Sequence, residues 1–253
     1  MLEMPVMKWS KVFMFFITAA AGVLLAASVY SEAAGGRWNW SIISTAIMLL
    51  AVGAFFLQFE RSKVTAKEIA LISTLAALAA LGRVPFAAIP GVQPTTFMVI
   101  ISGYVFGAQA GFMVGAIAAL VSNIFLGQGP WTPWQMFAWG LAGASACLLQ
   151  KVRPNINGLE LAVFAGAWGF IFNWIVNIWM WTSFVYPLTL ESFILTCING
   201  IWFDILHATG NVFFSITFGV MAIKILCRFK TRLKVSYLPA EYAGELGKED
   251  GNA

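Results

Sequence analysis

Eight apolar runs, most of them as long as a bilayer crossing and separated by short polar or turn-forming stretches, limit what this chain can fold into. They fall at 12–30, 41–58, 66–82, 96–106, 109–127, 134–150, 158–181 and 191–226, and each reads as a helix. A spanning helix needs about 20 apolar residues, and in lipid the backbone must satisfy its own hydrogen bonds, so helices answer such runs better than loops or open sheets. With 60% hydrophobic and 10% charged residues, the sequence lacks the polar surface to coat a water-soluble fold. The expected class is an all-α integral membrane protein of about eight spans, one membrane domain with short tails. Within 96–127 the segment Gly107-Ala108-Gln109-Ala110-Gly111 predicts a tight reversal, because an unbroken helix of that length exceeds one crossing.

Charge placement orients the spans. With the N-terminus in the cytoplasm, Lys8, Lys11, Arg61, Lys63, Lys67, Lys151, Arg153, Lys224, Arg228, Lys230, Arg232, Lys234 and Lys248 fall inside, against Arg37 and Arg83 outside. This places both termini in the cytoplasm of a multi-pass protein of the cell membrane. It also sets Trp38, Trp40, Trp131, Trp134, Trp179 and Trp181 near the outer interface, where aromatic anchors belong. The first run follows Lys8 and Lys11, lacks a short core ending in a cleavage site, and is expected to stay as a helix. The polar stretch Gln58–Thr65 divides a two-helix transmembrane hairpin, residues 1–60, from a six-helix core, 61–228. Residues 229–253 turn basic and then polar, the composition of a disordered cytoplasmic tail.

Several chemistries are missing. The sequence has no G-x-x-x-x-G-K-[ST] loop to cradle phosphates, no H-E-x-x-H and no G-x-S-x-G, and it has a single histidine. The cysteines Cys147, Cys197 and Cys227 lie far apart in apolar segments and read as packing residues. Neither an enzyme, a resident metal nor a cofactor is expected. The basic residues sit between apolar runs rather than along one stripe, so nucleic acid is not expected as a partner. Any uphill transport would draw on an ion gradient or a partner subunit.

Polar groups that remain within reach of the membrane define a candidate site. The loop Arg83–Thr96 carries Pro85, Pro90, Pro94 and Gly91 and cannot be a continuous helix. Irregular backbone of this kind is tolerated where it covers a cavity, which makes the loop a candidate wall or lid offering Arg83, Gln93 and Thr95. A second segment, Leu126–Met136, combines turn residues with Gln128, Trp131, Trp134 and Gln135, and suits a large, partly flat polar ligand. Asp204 is a carboxylate well inside an apolar run, and His207 and Asn211 follow on the same helical face. That face should look into the bundle, with Asp204–His207 either a structural hydrogen-bonded pair or part of a site. Asn173 and Asn177 share a face with Trp181 and serve either as ligand amides or as glue between helices.

The run from Gln93-Pro94-Thr95-Thr96 through Ile100-Ile101-Ser102-Gly103, the reversal at Gly107–Gly111 and above all Gly127-Gln128-Gly129-Pro130-Trp131-Thr132-Pro133-Trp134-Gln135-Met136-Phe137-Ala138-Trp139-Gly140 form a pattern. Together with the six-helix core and the absent nucleotide motif, it resembles the substrate-binding S-component of energy-coupling-factor (ECF) transporters, and most of all the S-components assigned to cobalamin. The resemblance covers about 60–226, and the leading hairpin departs from it. It implies capture of a vitamin, cobalamin first, from outside the cell, and partnership with a membrane T-component and two ATPase subunits. It also implies docking of the T-component on an A-x-x-x-A stripe, met here by Ala66 with Ala70 and by Ala76 with Ala80, the first pair lying nearer the cytoplasm. Two other readings remain: an S-component for a different vitamin, and a self-sufficient proton-coupled carrier in which Asp204 and His207 form the relay.

Overall fold

The computed structural model describes residues 40–61 and 64–232, which form eight α-helices and no strand. In chain order these are α1 (Trp40–Arg61), α2 (Ala66–Arg83), α3 (Thr95–Phe106), α4 (Ala108–Leu126), α5 (Thr132–Val152), α6 (Gly158–Phe184), α7 (Leu190–Asn199) and α8 (Ile201–Arg232). A 3-10 turn, Val84–Phe86, prolongs α2. The run 12–30, the first half of the hairpin and most of the tail lie outside the described residues, as does Trp38.

Local chemistry sets where helices begin. Thr65 caps α2 by accepting from the Glu68 amide while the Glu68 carboxylate accepts from the Thr65 amide, and Asn157 with Glu160 does the same for α6. Glu160 also pairs with Arg153 at 3.2 Å, tying the α5 end to the α6 start. The reversal between α3 and α4 falls at Gly107, whose φ of 98° is a conformation that L side chains rarely adopt.

Among the described residues, five helical stretches are long and apolar enough to cross a membrane: α1, α2 with its 3-10 extension, α4, α6 and α8. The sequence reading has eight runs, of which 12–30 lies outside the described residues. Helix α3 has 12 residues, about 18 Å of rise, which is short of the hydrocarbon thickness. Eleven of them are buried, from Thr95 to Phe106, so α3 is a core helix wrapped by its neighbours. Helix α5 is long enough, but its many Gly, Ala, Ser and Gln residues serve close packing against α1, α3, α4 and α6 rather than contact with lipid. The last run, 191–226, also divides. Asn199-Gly200 interrupts it, and the Gly200 amide closes α7 on the carbonyls of Thr196 and Cys197. The break leaves Asp204 in the first turn of α8, where the helix dipole favours a negative charge.

Glycines let α3, α4 and α5 touch backbone to backbone. A Cβ on Gly103 would lie 1.8 Å from the Gly143 carbonyl oxygen, one on Gly111 2.6 Å from the Gly103 Cα, and one on Gly143 2.2 Å from the Gly111 carbonyl oxygen. Lipid provides no hydrophobic drive between helices, so this close approach supplies the dispersion contact that holds them. Helix α1 docks on the same unit through Phe55, stacked on Phe112 at 3.6 Å, and through Ser41 and Ser44, which bond Ser183 and Thr182 of α6.

The long-range contacts fix helix directions: Arg83 meets the α4 C-terminal turn, Asn123 meets the α5 N-terminal turn, and Trp174 of α6 meets Asp204 of α8. Arg83 and Asp204 thus lie toward one end of the bundle. Lys67, Lys151, Arg153, Lys224, Arg228, Lys230 and Arg232 lie toward the other.

Candidate functional site

The Pro-rich loop after α2 leaves helical geometry and turns in against α8. Gly91, at φ 76°, sits where a Cβ would be 3.1 Å from the His207 amide and 3.2 Å from the Phe203 carbonyl, so both its conformation and its closeness to α8 require glycine. Gly210 faces Val92 in the same way, with a Cβ there 3.1 Å from the Val92 Cα. Held against about two turns of α8, the loop becomes one wall of a cavity of about 240 Å³. Its lining is Arg83, Gly91, Gln93, Gln135, Phe172, Asn173, Asn177, Gly200, Phe203, Asp204 and His207.

Seven of the residues singled out in the sequence thus converge from five parts of the chain: Arg83, Gln93, Gln135, Asn173, Asn177, Asp204 and His207. Thr95, Gln128, Trp131 and Trp134 are not among the lining residues. Thr95 is fully buried and donates to the Ala79 carbonyl at 3.1 Å, joining α3 to α2. Gln128 is exposed; its amide donates to the Leu120 carbonyl and its oxygen accepts from Thr132. Trp131 packs edge-on against Trp179 at 5.4 Å. Trp134 is 4% exposed, which corrects its expected place among the interfacial anchors. These four residues lie outside the cavity lining.

Arg83 is held by neutral acceptors. Its Nε donates to Gln93 Oε1 at 3.0 Å, and its Nη1 donates to Ser122 Oγ at 2.8 Å and to Asn123 Oδ1 at 2.6 Å. The guanidinium carbon lies 5.0 Å from the Trp139 ring centroid, a cation–π distance. The Asn123 amide donates onward to Gln135 Oε1 at 2.8 Å and to Thr132 Oγ1 at 3.0 Å, so the Leu126–Met136 segment positions Arg83 indirectly. No carboxylate pairs with Arg83 among the described residues.

Across the cavity, Asp204 is 0% exposed. Its Oδ2 accepts from Trp174 Nε1 at 3.1 Å, and its Oδ1 has no hydrogen-bond partner among the described residues. His207 does not bond it. His207 Nε2 lies 2.7 Å from Thr96 Oγ1, which accepts from Trp139 Nε1 at 2.8 Å. The Thr96 hydroxyl thus bridges the indole and the imidazole, and either it or Nε2 can be the donor in their bond. The structural Asp204–His207 pair allowed by their spacing is therefore replaced by two separate bonds, because the carboxylate faces α6 and the imidazole faces α3.

The amides divide as well. Asn211 donates to the Ala165 carbonyl at 3.0 Å and joins α8 to α6 away from the cavity. Asn173 donates to Gly169 of its own helix, while the buried Asn177 Nδ2 finds no partner among the described residues. Trp181 donates to Ser192 Oγ at 2.8 Å and latches α6 to α7. Sequence reasoning missed Ser122 and Asn123, which anchor Arg83, and favoured Thr95 over Thr96. The signal for Thr96 was present, since adjacent helical positions point about 100° apart and only one of the two can face α8.

The described residues thus form an all-helical bundle of membrane-spanning length with a polar cavity at one end. The chain matches the family model for the ECF transporter substrate-specific component over residues 67–226, and it belongs to that family. It is therefore a substrate-specific membrane subunit of an ECF transporter, working with a T-component, ATPases and a substrate ligand. No curated protein and no solved structure matches it.

Proposed function

We propose that this chain captures a vitamin in the Arg83–Asp204 cavity from outside the cell and delivers it through an ATP-driven ECF complex. The observation that carries this reading is the convergence of loop, α5, α6 and α8 polar groups on one cavity whose arginine meets no protein anion among the described residues. The positive-inside rule puts the Lys/Arg-rich end in the cytoplasm and so opens the Arg83 end outward.

Cavity size bears on the ligand. Sites for drug-sized ligands measure about 300–1,000 Å³, so 240 Å³ suits a compact vitamin. Cobalamin is far larger and would require the 83–94 and 127–131 segments to move apart. The resemblance along Gly127–Gly140 supports cobalamin, and the cavity supports a smaller ligand. Calorimetry with purified protein decides between them. A compact vitamin is expected to give an isotherm, with Gln135→Ala losing about 1–2 kcal/mol as one buried hydrogen bond goes. Trp131→Ala is expected to leave affinity nearly unchanged. Heat from cobalamin alone would assign the corrinoid, and an intact Gln135→Ala isotherm would remove this cavity as the site.

For the T-component we propose the lower face of α2. Ala76 and Ala80 are buried in the core, whereas Ala66 and Ala70 are exposed and continue into the exposed Ser73 and Ala77. Small exposed side chains permit a close helix contact. Ala66→Trp or Ala70→Trp is expected to reduce co-purification of the T-component while ligand binding persists. Undiminished recovery with both variants would exclude this face.

The proton-coupled carrier finds less support. Asp204 and His207 do not bond each other, and among the described residues the interruption at Gly200 has no counterpart in a second repeat such as carriers of that kind use.

A further inference from the structure

Two side chains of opposite charge type line the same small cavity without meeting. No ion pair joins Arg83 and Asp204, and each keeps hydrogen-bonding capacity in reserve. The Arg83 Nε and Nη1 are occupied by Gln93, Ser122 and Asn123, while Nη2 makes no hydrogen bond among the described residues. The Asp204 Oδ2 is occupied by Trp174, while Oδ1 has no partner among the described residues at 0% exposure of the residue. A buried carboxylate oxygen without a donor is a standing cost, and an arginine fixed by neutral acceptors presents a planar donor edge that fits carboxylate or phosphate. His207 is engaged elsewhere in this arrangement, its Nε2 lying 2.7 Å from Thr96 Oγ1.

Resting on the solute-capture reading above, we propose that the ligand is a compact molecule with two recognised ends, one anionic and one a hydrogen-bond donor. Its carboxylate or phosphate lies on Arg83, and an N–H donor, such as a ring or ureido nitrogen, lies on Asp204 Oδ1. The unpartnered Asn177 amide offers a further donor for a ligand carbonyl between the two ends. Asp204 is then a specificity determinant, because it selects for a donor and rejects analogues that place an acceptor there. The cavity volume of about 240 Å³ limits the molecule to one or two rings or a chain of similar bulk.

The test is calorimetry on the detergent-purified full chain with six vitamins of different chemistry. Biotin and pantothenate carry a carboxylate together with N–H donors; nicotinate carries the anion without the donor; thiamine and pyridoxine carry donors without a carboxylate; cobalamin carries neither feature in a compact frame. The tightest binder is expected to be biotin or pantothenate. Arg83→Gln and Asp204→Asn should each weaken it about 10- to 100-fold, the scale of a lost charged hydrogen bond. Arg83→Lys should restore part of the loss, and gel filtration confirms that each variant is folded. If thiamine, pyridoxine, nicotinate or cobalamin binds most tightly, or if either neutral variant leaves the affinity unchanged, the two-ended assignment is overturned while solute capture stands. If none of the six gives heat, both are overturned.

Discussion

Gly143→Ala is expected to prevent recovery of folded protein. The added Cβ would lie 2.2 Å from the Gly111 carbonyl oxygen and 2.4 Å from its carbon, and the atoms in the way are backbone rather than a movable side-chain tip. Either α4 or α5 must shift. That shift also disturbs Gly103, whose own space is filled by the Gly143 carbonyl, so three helices lose contact together. Overpacking of a well-packed core costs typically 1–3 kcal/mol, and a backbone clash shared by three helices should exceed about 3 kcal/mol. Gly53→Ala is the control, because a Cβ at Gly53 meets nothing within 4 Å and alanine improves helix propensity by about 1 kcal/mol. Thermal unfolding followed by size-exclusion in detergent measures both. A Gly143→Ala protein that elutes as a monodisperse peak and melts within a few degrees of the parent would contradict the glycine-contact account.

Much of the fold was legible because membrane helices announce themselves by length and hydropathy. The runs at 41–58, 66–82 and 158–181 became α1, α2 and α6 nearly as read, and the reversal at Gly107 followed from glycine spacing. The break at Gly200 was less visible, because Ile198, Ile201 and Trp202 carry the apolar pattern straight across it. Two signals stood there all the same: the Asn199-Gly200 pair, and a run of 36 residues from 191 to 226, longer than one crossing needs. The inner status of α3 could not be read from hydropathy, since a helix that is apolar all round looks the same whether lipid or protein surrounds it.

The site divided along similar lines. Arg83, Asp204 and His207 were legible because a charged or titratable group within an apolar sequence needs a partner or a cavity. Trp131 and Trp134 drew attention for their ring area, yet the structure uses one against Trp179 and buries the other, and nothing in their local sequence separates packing from ligand contact. Ser122 and Asn123 escaped notice because their role depends on α2 and α4 running side by side.

The central claim is that this subunit binds its solute but takes the energy for uptake from partner ATPases. Uptake into proteoliposomes tests it most directly, using the radiolabelled vitamin that calorimetry identifies. Liposomes holding this chain alone, with an imposed proton gradient, should take up no more than liposomes without protein. Liposomes that also hold the T-component and both ATPases should accumulate the vitamin when ATP is supplied on the ATPase side, and should stop when ATP is withheld. Accumulation by the chain alone, driven by the gradient and abolished by a protonophore, would contradict the account and return Asp204 to the role of a proton carrier.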